Sequence, residues 1–226
     1  MARYTRLQTA MAMEQAGMIP VFYHPDPEIC FEVIKACFKG GLRVFEFTNR
    51  GDYAHEVFSI VNKRLAQELP EVIIGTGSVM DAGTASLYIQ VGTNFIVSPV
   101  IKEDIAMACN RRKILWSPGC GSVTEISRAE ELGAEIVKIF PGTQVGGPKF
   151  VQAVKGPMPW TSIMPTGGVE PTEENLSAWF KAGVTCVGMG SQLISKEIVN
   201  TRNFALLEEK VRTACEILKN IRQTLQ

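Results

Sequence analysis

Eight short apolar runs, seven of them closed by glycine, proline or a hydroxyl residue and each followed by a stretch of helical spacing, constrain this chain more than any other feature. They cover residues 18–22, 42–48, 72–78, 95–99, 114–119, 135–142, 162–165 and 185–190. Their brevity, their Val, Ile and Phe content and the turn residues that bound them mark them as strands. The spacing predicts helices over 26–39, 52–69, 81–92, 102–111, 122–132, 148–154, 173–182 and 202–225, with one more at 4–17 before the first strand. In that first helix Leu7, Ala10 and Met11 fall on one side. Asp26-Pro27, Asp52 and Ser122 with Glu125 three residues on read as helix starts. Strands alternating with helices imply right-handed βαβ units and a parallel sheet. Eight such units in 226 residues, with no break in composition, predict a single α/β domain spanning 1–226. Its expected form is a (β/α)8 TIM barrel with an extra N-terminal helix. A doubly wound open sheet is the alternative.

Charge and cysteine usage narrow the function classes. Basic and acidic residues balance at 23 each, so the chain lacks the electrostatic footprint of a nucleic-acid binder. No apolar run has the length of a membrane span, and the opening Met1-Ala2-Arg3-Tyr4 leads into polar residues rather than a signal core. Six scattered cysteines without a C-x-x-C pair read as reduced, buried thiols of a cytoplasmic protein. Two histidines, His24 and His55, make a histidine-rich metal centre hard to build. Neither nucleic acid nor a membrane is therefore an expected partner.

The chemistry concentrates where a barrel places it, at the C-terminal ends of the strands. Lys138 interrupts the apolar run 135–142. Side chains alternate along a strand, so Ile136, Lys138 and Phe140 share one face. A buried lysine favours its neutral amine, the nucleophile of Schiff-base enzymes; its plain alternative is a lysine snorkelling to water. Glu46 likewise interrupts strand two, on the face of Val44 and Thr48. Strands two and six have the same parity and face one another across a barrel, so Glu46 and Lys138 are expected to meet, as a structural ion pair or as amine and proton shuttle. Gly167-Gly168 and Gly190-Ser191 end strands seven and eight, where phosphate-binding barrels place backbone amides; Thr166 and Ser191 add hydroxyls. Arg50, just past strand two, is either a bidentate partner for a carboxylate or an exposed loop charge. His24 is a rim residue, Cys120 a structural thiol. Trp160, Trp179 and the methionines read as core or helix-packing groups.

Taken together, residues 40–48 (GGLRVFEFT), 75–79 (GTGSV), 95–99 (FIVSP), 117–119 (SPG), 137–142 (VKIFPG) and 165–169 (PTGGV) carry a resemblance. The chain resembles the 2-keto-3-deoxy-6-phosphogluconate aldolase / 4-hydroxy-2-oxoglutarate aldolase family of class I aldolases, over about residues 17–194. The resemblance implies Lys138 as the Schiff-base residue and Glu46 as general acid/base. Arg50, Ser78 and Pro99 would hold the pyruvate half, and Gly167, Gly168 and Ser191, beside Thr166 and Gly190, the distal phosphate. It implies retro-aldol cleavage to pyruvate and glyceraldehyde 3-phosphate without cofactor or metal, and a homotrimer. The chain departs from the pattern at Tyr23-His24, where many members have arginine, at Ser78, where threonine is common, and at Cys120-Gly121-Ser122. A galactonate epimer or unphosphorylated 4-hydroxy-2-oxoglutarate therefore stays open as substrate. So do two other classes: an imine-free phosphate-binding isomerase or synthase with Lys138 as an acid, and a non-catalytic sensor of a phosphorylated acid.

Overall fold

Alternation of inward and outward side chains along eight parallel strands builds the structure, a computed structural model that describes residues 1–225. The strands are β1 (Met18–Phe22), β2 (Val44–Thr48), β3 (Ile73–Gly77), β4 (Phe95–Ser98), β5 (Leu115–Cys120), β6 (Val137–Ile139), β7 (Ile163–Pro165) and β8 (Val187–Met189). They run β7-β6-β5-β4-β3-β2-β1-β8, and every paired neighbour is parallel. β7 and β8 complete the ring through a bridge between Thr166 and Gly188 and a hydrogen bond from the Thr185 N–H to the Ile163 carbonyl at 2.9 Å. Glycine is required at the bridge, because a Cβ on Gly188 would overlap the Thr166 hydroxyl. The ring is the (β/α)8 barrel, not the open sheet.

Helices α1 (Arg6–Ala16), α2 (Pro27–Lys39), α3 (Ala54–Glu68), α4 (Ala82–Gln90), α5 (Glu103–Arg112), α6 (Val123–Glu131), α7 (Gly147–Lys155), α8 (Glu173–Lys181), α9 (Lys196–Asn200) and α10 (Phe204–Leu225) accompany the strands. Outward strand residues such as Phe47 and Trp116 pack with Phe31, Phe58, Tyr88 and Trp179 of the helices. Full burial of each side chain of this size stabilises by about 1.5–3 kcal/mol. Inward residues form a second apolar cluster, Ile19, Val44, Ile73, Phe95, Val97, Leu115, Ile136, Met164 and Cys186, which Met13 of α1 joins from below. α1 is thus the floor of the barrel. Arg222 of α10 clasps it, donating to the carbonyls of Glu14 (2.7 Å), Gln15 (3.0 Å) and Thr185 (2.9 Å). The first two bonds satisfy carbonyls that the end of α1 leaves without partners. Arg6 ties the other end of α1 to Glu135, Asn110 and the Gly133 carbonyl.

Several local expectations change. The buried residues of α1 are Thr9 and Met13, whereas Leu7 and Met11 lie exposed. Of the expected stripe only Ala10 packs against the inner cluster, together with Ala12 and Ala16. Asp52 does not cap α3; Tyr53 does, at φ 58° and without a side-chain cap bond. Asp26, Asp81, Ser122 and Thr172 cap α2, α4, α6 and α8 through their side chains. The short α9 was not anticipated. Trp179 is buried, but Trp160 is 69% exposed and belongs to no core. Among the described residues, no helix is long and apolar enough to cross a membrane.

Candidate active site

The upper half of the barrel interior is polar, and its centre is the pair Lys138 and Glu46. β6 turns Lys138 inward above Ile136, and β2 turns Glu46 inward above Val44. The Lys138 Nζ lies 3.6 Å from the Glu46 Oε1, with side-chain exposures of 8% and 1%. Each ion compensates the other's loss of water, which is how two charges persist inside an apolar barrel. The Phe140 ring lies beside the amine, its centroid 5.4 Å from Nζ. Glycines clear the space around the pair. A Cβ on Gly77 of β3 would overlap the Glu46 carboxylate, and one on Gly119 of β5, the register partner of Lys138, would overlap the Pro99 carbonyl.

Three buried polar atoms around this pair have no hydrogen-bond partner among the described residues: Glu46 Oε2, Ser117 Oγ and Thr166 Oγ1. Alternation turns all three inward, since Val44, Leu115 and Met164, two residues before each, belong to the inner cluster. A buried polar atom without a partner costs about 1–3 kcal/mol, so a set of them around one amine marks a place built for a polar ligand. Ser117 escaped attention in the sequence although the strand parity places it inside. Thr166 lies against Gly188 within the barrel, deeper than the rim position expected for it.

The rim carries the remaining groups. Arg50, exposed after β2, donates from Nε to the Ser78 hydroxyl after β3 at 3.2 Å, and Ser78 adopts φ 59°. Pro99 follows β4, half-buried above Gly119. After β7, Gly167 and Gly168 have φ 97° and 74°, a left-handed backbone that favours glycine. The carbonyls of this turn are all engaged. That of Thr166 accepts from the Gly142 N–H at 2.8 Å, that of Gly167 from the Thr143 N–H at 3.2 Å, and that of Gly168 from the Asn175 amide at 3.2 Å and the Trp179 indole at 3.4 Å. The Gly167 N–H faces the Gly188 carbonyl across the bridge to β8, and the Gly168 N–H donates to no acceptor among the described residues. Gly190 is half-buried and Ser191 exposed beyond β8. His24 takes no part in the pair; its Nδ1 accepts from the Asp26 N–H at 3.0 Å. Tyr23 packs edge-on against the outward-facing Phe47, away from the amine. Burial pushes the Cys120 thiol up to about 12, which keeps it protonated and inert at neutral pH.

Residues 10–210 match the family model "KDPG and KHG aldolase". The chain belongs to this aldolase family. A 2-dehydro-3-deoxy-phosphogluconate aldolase of Pseudoalteromonas atlantica is 32% identical over 216 residues, covering 95% of this chain and 97% of the relative. The KHG/KDPG aldolase of Escherichia coli K12 is 29% identical over 199 residues, covering 88% and 91%. Among solved structures, a KDPG aldolase from Legionella pneumophila superposes with a TM-score of 0.83 at 26% identity, over 92% of this chain and 98% of that one. That crystal structure holds pyruvate captured at low pH as a covalent carbinolamine intermediate. The chain is therefore a class I aldolase, a carbon–carbon lyase, and the barrel mouth just described is where that chemistry has its candidate residues.

Proposed function

We propose that this aldolase cleaves 2-keto-3-deoxy-6-phosphogluconate, or a close 2-keto-3-deoxy sugar acid or 4-hydroxy-2-oxoglutarate, through a Schiff base on Lys138. The buried 3.6 Å pairing of its Nζ with the Glu46 carboxylate carries the reading. Lys138 passes a proton to the Glu46 carboxylate as its amine attacks the C2 ketone, and Glu46 relays the proton that lets the carbinolamine lose water. The resulting iminium draws electrons from the C3–C4 bond. As that bond breaks, the C4 hydroxyl gives its proton to the Glu46 carboxylate and departs as the aldehyde. Glu46 returns the proton to C3 of the enamine, and hydrolysis of the imine releases pyruvate and the free amine. The iminium is itself the electron sink, so the sequence of steps calls for no metal or cofactor.

The other groups follow the length of such a substrate. Arg50, oriented by Ser78 and with Pro99 beside it, would hold the C1 carboxylate by charge-assisted hydrogen bonds. The unpartnered Thr166 hydroxyl would meet a hydroxyl in the middle of the chain. The Gly167-Gly168 turn with its free Gly168 N–H, and Gly190 and Ser191 across from it, would hold the distal phosphate. A homotrimer in the cytoplasm completes the reading; the exposed apolar residues Met80, Leu87, Val100, Met107 and Val123 on and beside α4, α5 and α6 support assembly, and sedimentation tests it. The chemistry is tested by borohydride trapping with pyruvate and peptide mapping. An adduct on Lys138 is expected; a folded protein that traps nothing would overturn the assignment.

A further inference from the structure

The loop that follows the lysine strand does more than connect β6 to α7. Its Gly142 and Thr143 bond to two successive carbonyls of the glycine turn after β7, those of Thr166 and Gly167. The Thr143 hydroxyl adds a second bond to the Gly167 carbonyl at 3.3 Å. In a trans peptide the carbonyl and the following N–H point in opposite directions. Drawing the Thr166 and Gly167 carbonyls toward this loop therefore turns the N–H groups of Gly167 and Gly168 away from it. The fit is close on both sides. A Cβ on Gly142 would stand 2.6 Å from the Gly167 carbonyl oxygen, and one on Gly168 would coincide with the Thr143 hydroxyl. Without these bonds two glycines at positive φ would have a wide choice of peptide orientations.

We propose that Thr143 is a positioning residue for the distal anion: it holds the Gly167-Gly168 peptide in the orientation that presents the Gly168 N–H to a phosphate. The inference rests on the reading of that turn as the phosphate site and assigns a determinant of substrate class to a residue on the loop that leaves the Schiff-base strand. Thr143 itself touches no substrate. Its effect is on the selectivity between a substrate ending in phosphate and one ending in a hydroxyl.

The test compares kcat/KM for 2-keto-3-deoxy-6-phosphogluconate and for 2-keto-3-deoxygluconate in the full-length protein, Thr143→Ala, Thr143→Ser and Gly168→Ala. Thr143→Ala should lower the phosphate preference about fivefold, the equivalent of one neutral hydrogen bond, through KM and with pyruvate trapping retained. Thr143→Ser keeps the hydroxyl and should keep the preference. Gly168→Ala should abolish it. If Gly168→Ala collapses the preference while Thr143→Ala leaves it at the wild-type value, or if Thr143→Ala impairs both substrates equally, the positioning role is overturned and the phosphate site stands. If the wild-type protein shows no preference, or Gly168→Ala leaves it intact, the phosphate site itself is wrong and the role of Thr143 falls with it.

Discussion

The Glu46 carboxylate stands in the space that a side chain at Gly77 would fill. β3 supplies an absence of atoms, and β2 fills it with the group that faces the lysine. Gly77 does not have a positive φ, so alanine suits its backbone and the nearest overlaps fall on Glu46. Gly77→Ala should fold and should lose about a hundredfold in kcat, because a small misplacement of a reacting group has an effect of that order. Circular dichroism with steady-state kinetics checks this; a fully active Gly77→Ala would show that the carboxylate's position does not matter.

Lys138 and Glu46 should behave as one unit in stability. Lys138→Met leaves a buried carboxylate without its partner and should cost about 3–5 kcal/mol, while the double variant Lys138→Met with Glu46→Gln should recover most of that loss. Both are expected to be inactive. Urea unfolding of the four proteins in the cycle measures the coupling, and additive losses would mean that the two charges do not support each other.

Arg222 tests the clasp under the floor. Its guanidinium is half-buried, reaches three carbonyls and lies beside the Phe180 ring, 5.2 Å from the centroid. Arg222→Ala should reduce stability by about 2–3 kcal/mol and lower Tm by several degrees, with the catalytic end of the barrel unaffected at 25 °C. Calorimetry and an assay on the same sample decide it.

The thiols give a pH prediction. Burial raises Cys30, Cys109, Cys120 and Cys186 to about 12 and Cys215 to about 11. At pH 8 the native protein should resist thiol reagents until it is unfolded. Below the ordinary thiol value both states hold these protons, and the stabilisation is complete. As pH rises from about 9 toward 12 only the unfolded chain releases them, so stability falls, by up to about 1.4 kcal/mol per pH unit for each thiol. Denaturant midpoints between pH 8 and 11 that stay level would contradict this.

The strands and the meeting of Lys138 with Glu46 were legible because both depend on period and parity, which a linear sequence records. Ser117 was legible by the same parity, yet a lone serine amid apolar residues does not stand out. Thr143 was not legible: its partner Gly167 is 24 residues away, and nothing in either local sequence announces a bond between peptide groups. α1 was misread for a related reason. Its apolar stripe, Leu7 and Met11, points to solvent, and only the barrel floor it covers selects Thr9 and Met13 as the inner face. Asp52 lost its capping role because Tyr53 takes a left-handed backbone that starts the helix one residue later. α9, five residues long, is too short to display a period.

The join between β7 and β8 is thin, a bridge from Thr166 to Gly188 and a hydrogen bond from Thr185 to Ile163. That seam runs up to the two glycine-rich strand ends proposed to share the phosphate. An anion gripped from both sides would act as a buckle on the hoop, so part of its binding energy would go into tightening the barrel wall. Substrate length would then be sensed mechanically, a molecule lacking the distal group leaving the seam free to breathe. Amide hydrogen exchange at residues 163–168 and 185–191, with and without inorganic phosphate, would make that breathing visible.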